Sequence, residues 1–258
     1  MAVKLKKHHV SLKLFVLFLT IQLLWGCHSA YHPTTIEGRR LPITEVASAP
    51  SQFEATIRPY RAAMEKDLAK VLAIAPAPLE KMTGEWQTNI GCLMADAAMA
   101  QCDSVFQKRT GNHIDFCLLN HGGIRSSIGK GDVTVGSAFE VMPFENSMVV
   151  VTLDAMSVRD LVNYIIREKK PHPLSGLTFT INREGMAENI QIQGMPLDRD
   201  LYQVATSDYL SNGGDNMTFF QGKKTVTLDY KLRDVLIDYF RKSKVLKTEY
   251  EPRIKVIK

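Results

Sequence analysis

Cysteine is scarce. The 258 residues hold four, at positions 27, 92, 102 and 117, with no Cys-x-x-Cys pair. That excludes a thiol zinc knuckle and argues against a disulfide frame. Cys92 and Cys102 fall in one helical stretch, about 15 Å apart at about 1.5 Å per residue. Disulfide Cα atoms lie within about 7 Å, so this pair does not bond. Cys117 sits in an apolar run, and all three read as small buried side chains. Histidine is scarce too: beyond residue 50 there are only His113, His121 and His172. No H-E-x-x-H pair and no G-x-S-x-G elbow occurs, which excludes the zinc and serine hydrolases built on them. Internal repeats, low-complexity tracts and heptad repeats are absent.

Charge of one sign is missing once the first 26 residues are set apart. They hold Lys4, Lys6, Lys7 and Lys13 and no acid, so without them the formal net charge falls from +5 to +1. The remainder makes no electrostatic case for nucleic acid or for an anionic membrane. What is there is ordinary: 45% apolar and 23% charged residues describe a globular core.

The N-terminus has its own pattern. A basic start leads into the apolar run Leu14–Trp25 and then Leu24-Trp25-Gly26-Cys27. That is the order of a secretory signal, and the apolar run is short for a membrane span. A cysteine directly after Leu-x-Gly resembles the lipobox of bacterial lipoproteins, with Cys27 as the lipidated first residue. An ordinary signal peptide or an uncleaved anchor is the alternative. Residues 27–50 are polar, proline-marked and aperiodic, which reads as a tether. The expected partition is a signal at 1–26, a tether at 27–50 and a domain at 51–258, exported and anchored by lipid to a bacterial membrane.

Ser51-Gln52-Phe53-Glu54 is a capping-box pattern, so Ser51 should open a helix. Apolar residues from Ile57 to Leu72 then recur at helical spacing, with Pro59 expected to kink the helix or move its start. Thr88 to Phe106 reads as a second helix. Asp96 lies on its apolar face and reads as a buried acid satisfied by backbone amides. Ser157 to Lys169 and Lys231 to Lys242 are further helices. Strands are expected at 116–119, 148–153, 174–181, 189–192 and 202–207, with turns at 183–187 and 195–200. Helices alternate with mostly hairpin-connected strands and form no βαβαβ run, which argues an α+β fold of layered helices and mixed sheets.

The organising stretch is Asn120 to Asn146, with five of the 16 glycines. Paired glycines let backbone approach a ligand and take positive φ. Arg125 beside them suits phosphate or carboxylate, since a guanidinium donates two parallel hydrogen bonds. A tight turn with a solvated arginine accounts for the same residues. Taken by themselves, Tyr209 reads as a core aromatic beside a turn and Asp215-Asn216 as a turn pair.

The motifs Asn120-x-Gly122-Gly123-Ile124-Arg125, Ser127-Ile128-x-x-Gly131-Asp132-Val133-Thr134 and Pro143-Phe144-x-Asn146, followed by Ser207-Asp208-Tyr209-Leu210-Ser211-Asn212-Gly213-Gly214-Asp215, resemble the C-terminal domain of the 5'-nucleotidase family. That family includes UDP-sugar hydrolases and 2',3'-cyclic phosphodiesterases. The likeness runs from about Ile57 to Lys258. It implies a domain that binds a nucleotide and presents its phosphate to a separate metal-bearing domain. By position, Arg125 matches the phosphate-side arginine and Asn146 shapes the pocket floor. Tyr209 matches an aromatic that stacks on the base, and Asp215 the acid on the ribose. Asn120, Gly122, Gly123, Gly213 and Gly214 complete the expected substrate-binding set. His121 stands where the motif often has glycine, and either touches phosphate or caps the turn. The family holds its base between two aromatics. The second is expected just before Ser175, where only His172 offers a ring. A second phosphate arginine is not placed, although Arg159 is a candidate.

The resemblance also implies Asp-x-His, Gly-Asp-x-x-Asp and Gly-Asn-His-Asp/Glu blocks for two divalent metals, which need about seven oxygen and imidazole ligands. The first two are absent from the 258 residues, and Gly111-Asn112-His113-Ile114-Asp115 is a partial echo read as a loop. No cofactor is therefore expected in this chain, and divalent metals only in a partner metallophosphatase. Three functions follow: the nucleotide-binding half of a split 5'-nucleotidase, a non-catalytic surface protein that binds nucleotides or other phosphorylated ligands, or a hydrolase with a borrowed metal site.

Overall fold

The computed structural model describes residues 12–21, 38, 40 and 51–257. Cys27 and nearly all of the expected tether lie outside the described residues. The chain divides into two units, Met1–Ser51 and Gln52–Lys258. In the first, residues 12–21 form an exposed helix, α1. Among the described residues no helix is long and apolar enough to cross a membrane.

The second unit runs α2 (Ser51–Leu68), β1 (Val71–Ala75), α3 (Asn89–Thr110), β2 (Phe116–Leu118), β3 (Gly131–Thr134), α4 (Val135–Val141), β4 (Ser147–Asp154), α5 (Ala155–Glu168), β5 (Leu174–Ser175), β6 (Leu177–Ile181), β7 (Ala187–Ile192), β8 (Met195–Pro196), β9 (Leu201–Ser207), α6 (Asp208–Ser211), β10 (Thr225–Lys231), α7 (Leu232–Ser243) and β11 (Ile254–Val256). The class is α+β with mixed sheets, as the residue pattern implies.

A five-stranded sheet in the order β10-β4-β9-β2-β5 forms the centre. Its inner strands β4, β9 and β2 are largely buried, and alternate side chains enter different cores. On β2, Phe116 and Leu118 join the core of α5, while Cys117 joins the core of α3 and α7. On β4, Val149, Val151 and Leu153 take the first side and Met148 and Val150 the second. Helix α5 supplies Val158, Leu161, Val162 and Ile165, its expected stripe. The three described cysteines are free and buried, and burial pushes the Cys102 thiol up to about 12.

The register decides where the site forms. Strands β2 and β9 are parallel neighbours, with Phe116 beside Val204 and Cys117 beside Ala205. Their C-terminal ends therefore leave the sheet at the same edge. Strand β4 runs antiparallel to β9 and starts there, with Met148 opposite Ser207. Three segments distant in sequence thus meet at one end of the sheet: the residues after β2, those before β4 and those after β9.

Several expectations are corrected. Helix α2 ends at Leu68, and Val71 and Leu72 belong to β1, which pairs with β3. Pro59 lies inside α2 without moving its start from Ser51. Residues 174–181 form two strands, because Gly176 turns the chain with φ +79° between β5 of the central sheet and β6 of the four-stranded sheet β11-β6-β7-β8. The span read as a turn at 195–200 contains β8, and periodicity does not reveal β10, β11 or α4. Asp96 is satisfied by side chains, not by backbone amides. Arg253 donates to both its oxygens at 2.7 and 2.8 Å, and the Ser175 hydroxyl donates at 2.6 Å.

Candidate functional site

At that sheet edge Asn120, Gly122, Gly123, Phe144, Asn146, Tyr209 and Asp215 line one cavity of about 330 Å³. Asn120 follows β2, and residues 121–123 make one 3-10 turn. Gly122 and Gly123 do not use positive φ. Gly123 matters by closeness instead: a Cβ there would stand 2.9 Å from the Asn120 side-chain oxygen.

Asp215 is the hub. Its Oδ2 accepts from Asn120 Nδ2 at 3.0 Å, and its Oδ1 from the Tyr209 hydroxyl at 2.8 Å. Its backbone N–H donates to the same hydroxyl at 3.2 Å, and its carbonyl accepts from the Tyr164 hydroxyl of α5 at 2.7 Å. Asp215 itself sits at φ +52°, a left-handed position aspartate tolerates. The Tyr209–Asp215 bond is the largest cause holding the Tyr209 phenol above its ordinary range. Gly214 is required beneath Tyr209, since a Cβ there would come within 2.6 Å of ring atoms. Gly213 and Gly214 therefore shape the loop and do not line the cavity.

The third wall is the Pro143-Phe144-Glu145-Asn146 loop. Arg233 of α7, only 8% exposed, lies over the Phe139 ring at 4.1 Å and donates to the Pro143 carbonyl at 3.2 Å. It also ion-pairs with Glu145. Lys231 Nζ donates to the Glu145 carbonyl at 2.7 Å, and Leu232 N to the Asn146 carbonyl at 2.9 Å. The loop is thus clamped, with Phe144 left 42% exposed in the cavity beside Tyr209 at 43%.

Phe144 is the residue that sequence reasoning missed. The family resemblance places the second aromatic before Ser175, yet His172 is 3% exposed and packs on the Tyr164 ring at 5.8 Å. Its Nδ1 accepts from His121 N–H at 3.3 Å, so it holds the 121–123 turn from behind. Burial pushes the His172 imidazole down to about 4, and burial also lowers His121. The signal for Phe144 lay inside a motif already singled out. Arg125 is exposed and does not line the cavity; its guanidinium lies 5.8 Å from the centre of the Phe144 ring, at the rim. Arg159 is exposed on α5 and takes no part.

The metal echo resolves into structure. Gly111 caps α3 in the left-handed region. The His113 ring contacts Asp103 at 2.9 Å and Gln107 at 3.0 Å, which engages both its nitrogens. Among the described residues no group of three or more His, Cys, Asp or Glu side chains is arranged to hold a metal ion. The described side chains do not fit a two-metal centre.

Residues 72–222, more than half of the chain, match the family described as 5'-nucleotidase, C-terminal domain. The chain belongs to the 5'-nucleotidase C-terminal domain family. Over 172 residues it is 33% identical to Protein UshA of Salmonella pullorum, covering 64% of this chain and 26% of that protein. Over 187 residues it is 26% identical to a 5'-nucleotidase of Vibrio cholerae, covering 69% of this chain and 32% of that one. Its fold is similar to the crystal structure of a 5'-nucleotidase precursor from Thermus thermophilus, with a TM-score of 0.65 and 26% identity, across 80% of this chain and 42% of that one. The chain thus spans about a quarter to two fifths of these proteins. The matched 5'-nucleotidase C-terminal domain is the nucleotide-binding part of such enzymes.

Proposed function

We propose that this chain is the nucleotide-binding half of a split 5'-nucleotidase. It positions a nucleoside phosphate for hydrolysis by a separate metallophosphatase chain. The observation that carries the reading is the convergence of Phe144, Tyr209 and Asp215 on one cavity. Two exposed rings offer π-faces to a base, worth roughly 1–3 kcal/mol per stacked base. The Asp215 carboxylate accepts from neutral donors only, so it retains acceptor capacity for vicinal ribose hydroxyls. Arg125 at the Phe144 rim then meets phosphate with a planar fork. Asn120 and Asn146 set the cavity walls. No hydrolytic step is assigned to this chain's own residues, since among the described residues no group of three or more His, Cys, Asp or Glu side chains is arranged to hold a metal ion. Lipid attachment at Cys27, outside the cytoplasm, would hold this half on the membrane where the metal half is exported.

The test is co-expression with a candidate metallophosphatase chain, pull-down, and AMP hydrolysis by each chain and by the pair. The pair is expected to hydrolyse AMP faster than the metal half alone, with the gain lost in Tyr209→Ala. A pair that does not associate, with nucleotide still bound by this chain, favours the non-catalytic binding protein.

A further inference from the structure

Helix α2 carries its large apolar side chains outside. Phe53, Ile57, Tyr60 and Met64 are 58%, 45%, 75% and 57% exposed, and none of the residues 53–68 is buried. Helix α5 has a similar period but lays its stripe on the central sheet. The four α2 residues are spaced four, three, four, which is the a/d spacing of a coiled-coil seam. They span fewer than two heptads, too short a run for sequence alone to read as a coiled coil.

The flanking residues indicate what covers the seam. Glu54 and Arg61 follow Phe53 and Tyr60 and lie on one side of it, bonded to each other along the helix at 3.0 Å. Set two copies of α2 antiparallel about a twofold axis between residues 58 and 59. Phe53 then meets Met64 of the second copy, Ile57 meets Tyr60, and Glu54 faces Arg61 twice by symmetry. The surface is therefore complementary to itself in apolar content and in charge, as a twofold interface requires. Ala63 on the other flank lets the backbones approach. A lipid-facing helix would instead carry a basic polar face, whereas α2 mixes Glu54, Glu65 and Asp67 with Arg58, Arg61 and Lys66.

We propose that α2 is a self-association surface, through which two copies of this chain pair by an antiparallel seam of Phe53, Ile57, Tyr60 and Met64. The pairing is independent of the nucleotide reading.

Sedimentation velocity of the full chain in mild detergent tests it. The parent is expected as a dimer at micromolar concentration. Ile57→Asp is expected to weaken the dimer by roughly tenfold or more, a loss of about 1.4 kcal/mol or more. Arg61→Glu should weaken it less, and the double exchange Glu54→Arg, Arg61→Glu should restore it, because the reciprocal pairs re-form. Under mild oxidation, copies with Phe53→Cys should crosslink to copies with Met64→Cys but not to one another. Since no described α2 side chain is buried, these variants keep the fold. A monomeric parent overturns the proposal, as does a dimer indifferent to Ile57→Asp. Crosslinking of Phe53→Cys copies with each other overturns the antiparallel seam. Flotation of a monomeric parent with phospholipid vesicles, lost in Ile57→Asp, would assign the face to lipid instead.

Discussion

Asp96 and Asp215 are two carboxylates treated in opposite ways. Asp96 lies on α3, with Arg253 on both its oxygens and Ser175 as a third donor. Its charge is spent on joining α3 to the chain's C-terminal segment. Asp215 lies on a loop at the sheet edge. Its side chain accepts only from Tyr209 and Asn120, both neutral, and forms no ion pair among the described residues. A paired, half-buried charge serves stability. A charge held by neutral donors beside a cavity is available to a ligand.

That contrast breaks first at Arg253. Arg253→Met leaves Asp96 without its cation, and removing one partner of such a pair should cost about 3 kcal/mol of stability. The denaturation midpoint in urea reads the loss, and nucleotide binding by the folded fraction should be unchanged. A variant as stable as its parent would mean the Asp96 pair contributes nothing.

His172 separates the two regions by pH. Its folded-state value of about 4 lies below the ordinary 6.5, so the unfolded chain takes up a proton first as pH falls. Its neutral burial is therefore fully tolerated above about pH 6.5, and stability declines between about 6.5 and 4, by up to about 3 kcal/mol. His172→Phe should flatten that part of the stability curve. Parallel curves for parent and variant would refute the assignment.

Removal of either ring comes next. Phe144→Ala and Tyr209→Ala should each weaken nucleotide binding by about 1–3 kcal/mol. Thermal midpoints should move little, because both rings are exposed. A large stability loss without a binding loss would return these aromatics to the core.

The smallest effect is expected from Asp215→Asn. Isosteric replacement keeps the loop to within about 1 kcal/mol. It should narrow the preference for ribo- over 2'-deoxyribonucleotides, read as a ratio of dissociation constants. An unchanged ratio would remove Asp215 from the ribose.

Much of this was legible in the sequence. The helical stripes of α3 and α5 and the strands at 148–153 and 202–207 follow from period alone. The motifs at 120–125, 143–146 and 207–215 could be read, but not their meeting. That depends on β2 and β9 being parallel neighbours, which no local pattern encodes. For the same reason Arg253 could not be paired with Asp96 across 157 residues. Phe144 was hidden differently. It looked like part of a turn motif, and its exposure follows from Arg233 clamping the loop from α7. Gly176 shows the limit of period reading, since one left-handed residue sends a single apolar run into two sheets.

The central claim is that one cavity takes base and ribose at separate residues, with phosphate met at its rim by Arg125. Calorimetric titration of AMP, 2'-deoxy-AMP, adenosine and inorganic phosphate into the parent and into Phe144→Ala, Tyr209→Ala, Asp215→Asn and Arg125→Ala tests it directly. The ring variants should lose AMP and adenosine alike and keep phosphate. Arg125→Ala should lose AMP and phosphate and keep adenosine. Binding of all four ligands at parental strength by every variant, each still folded by circular dichroism, would contradict the account.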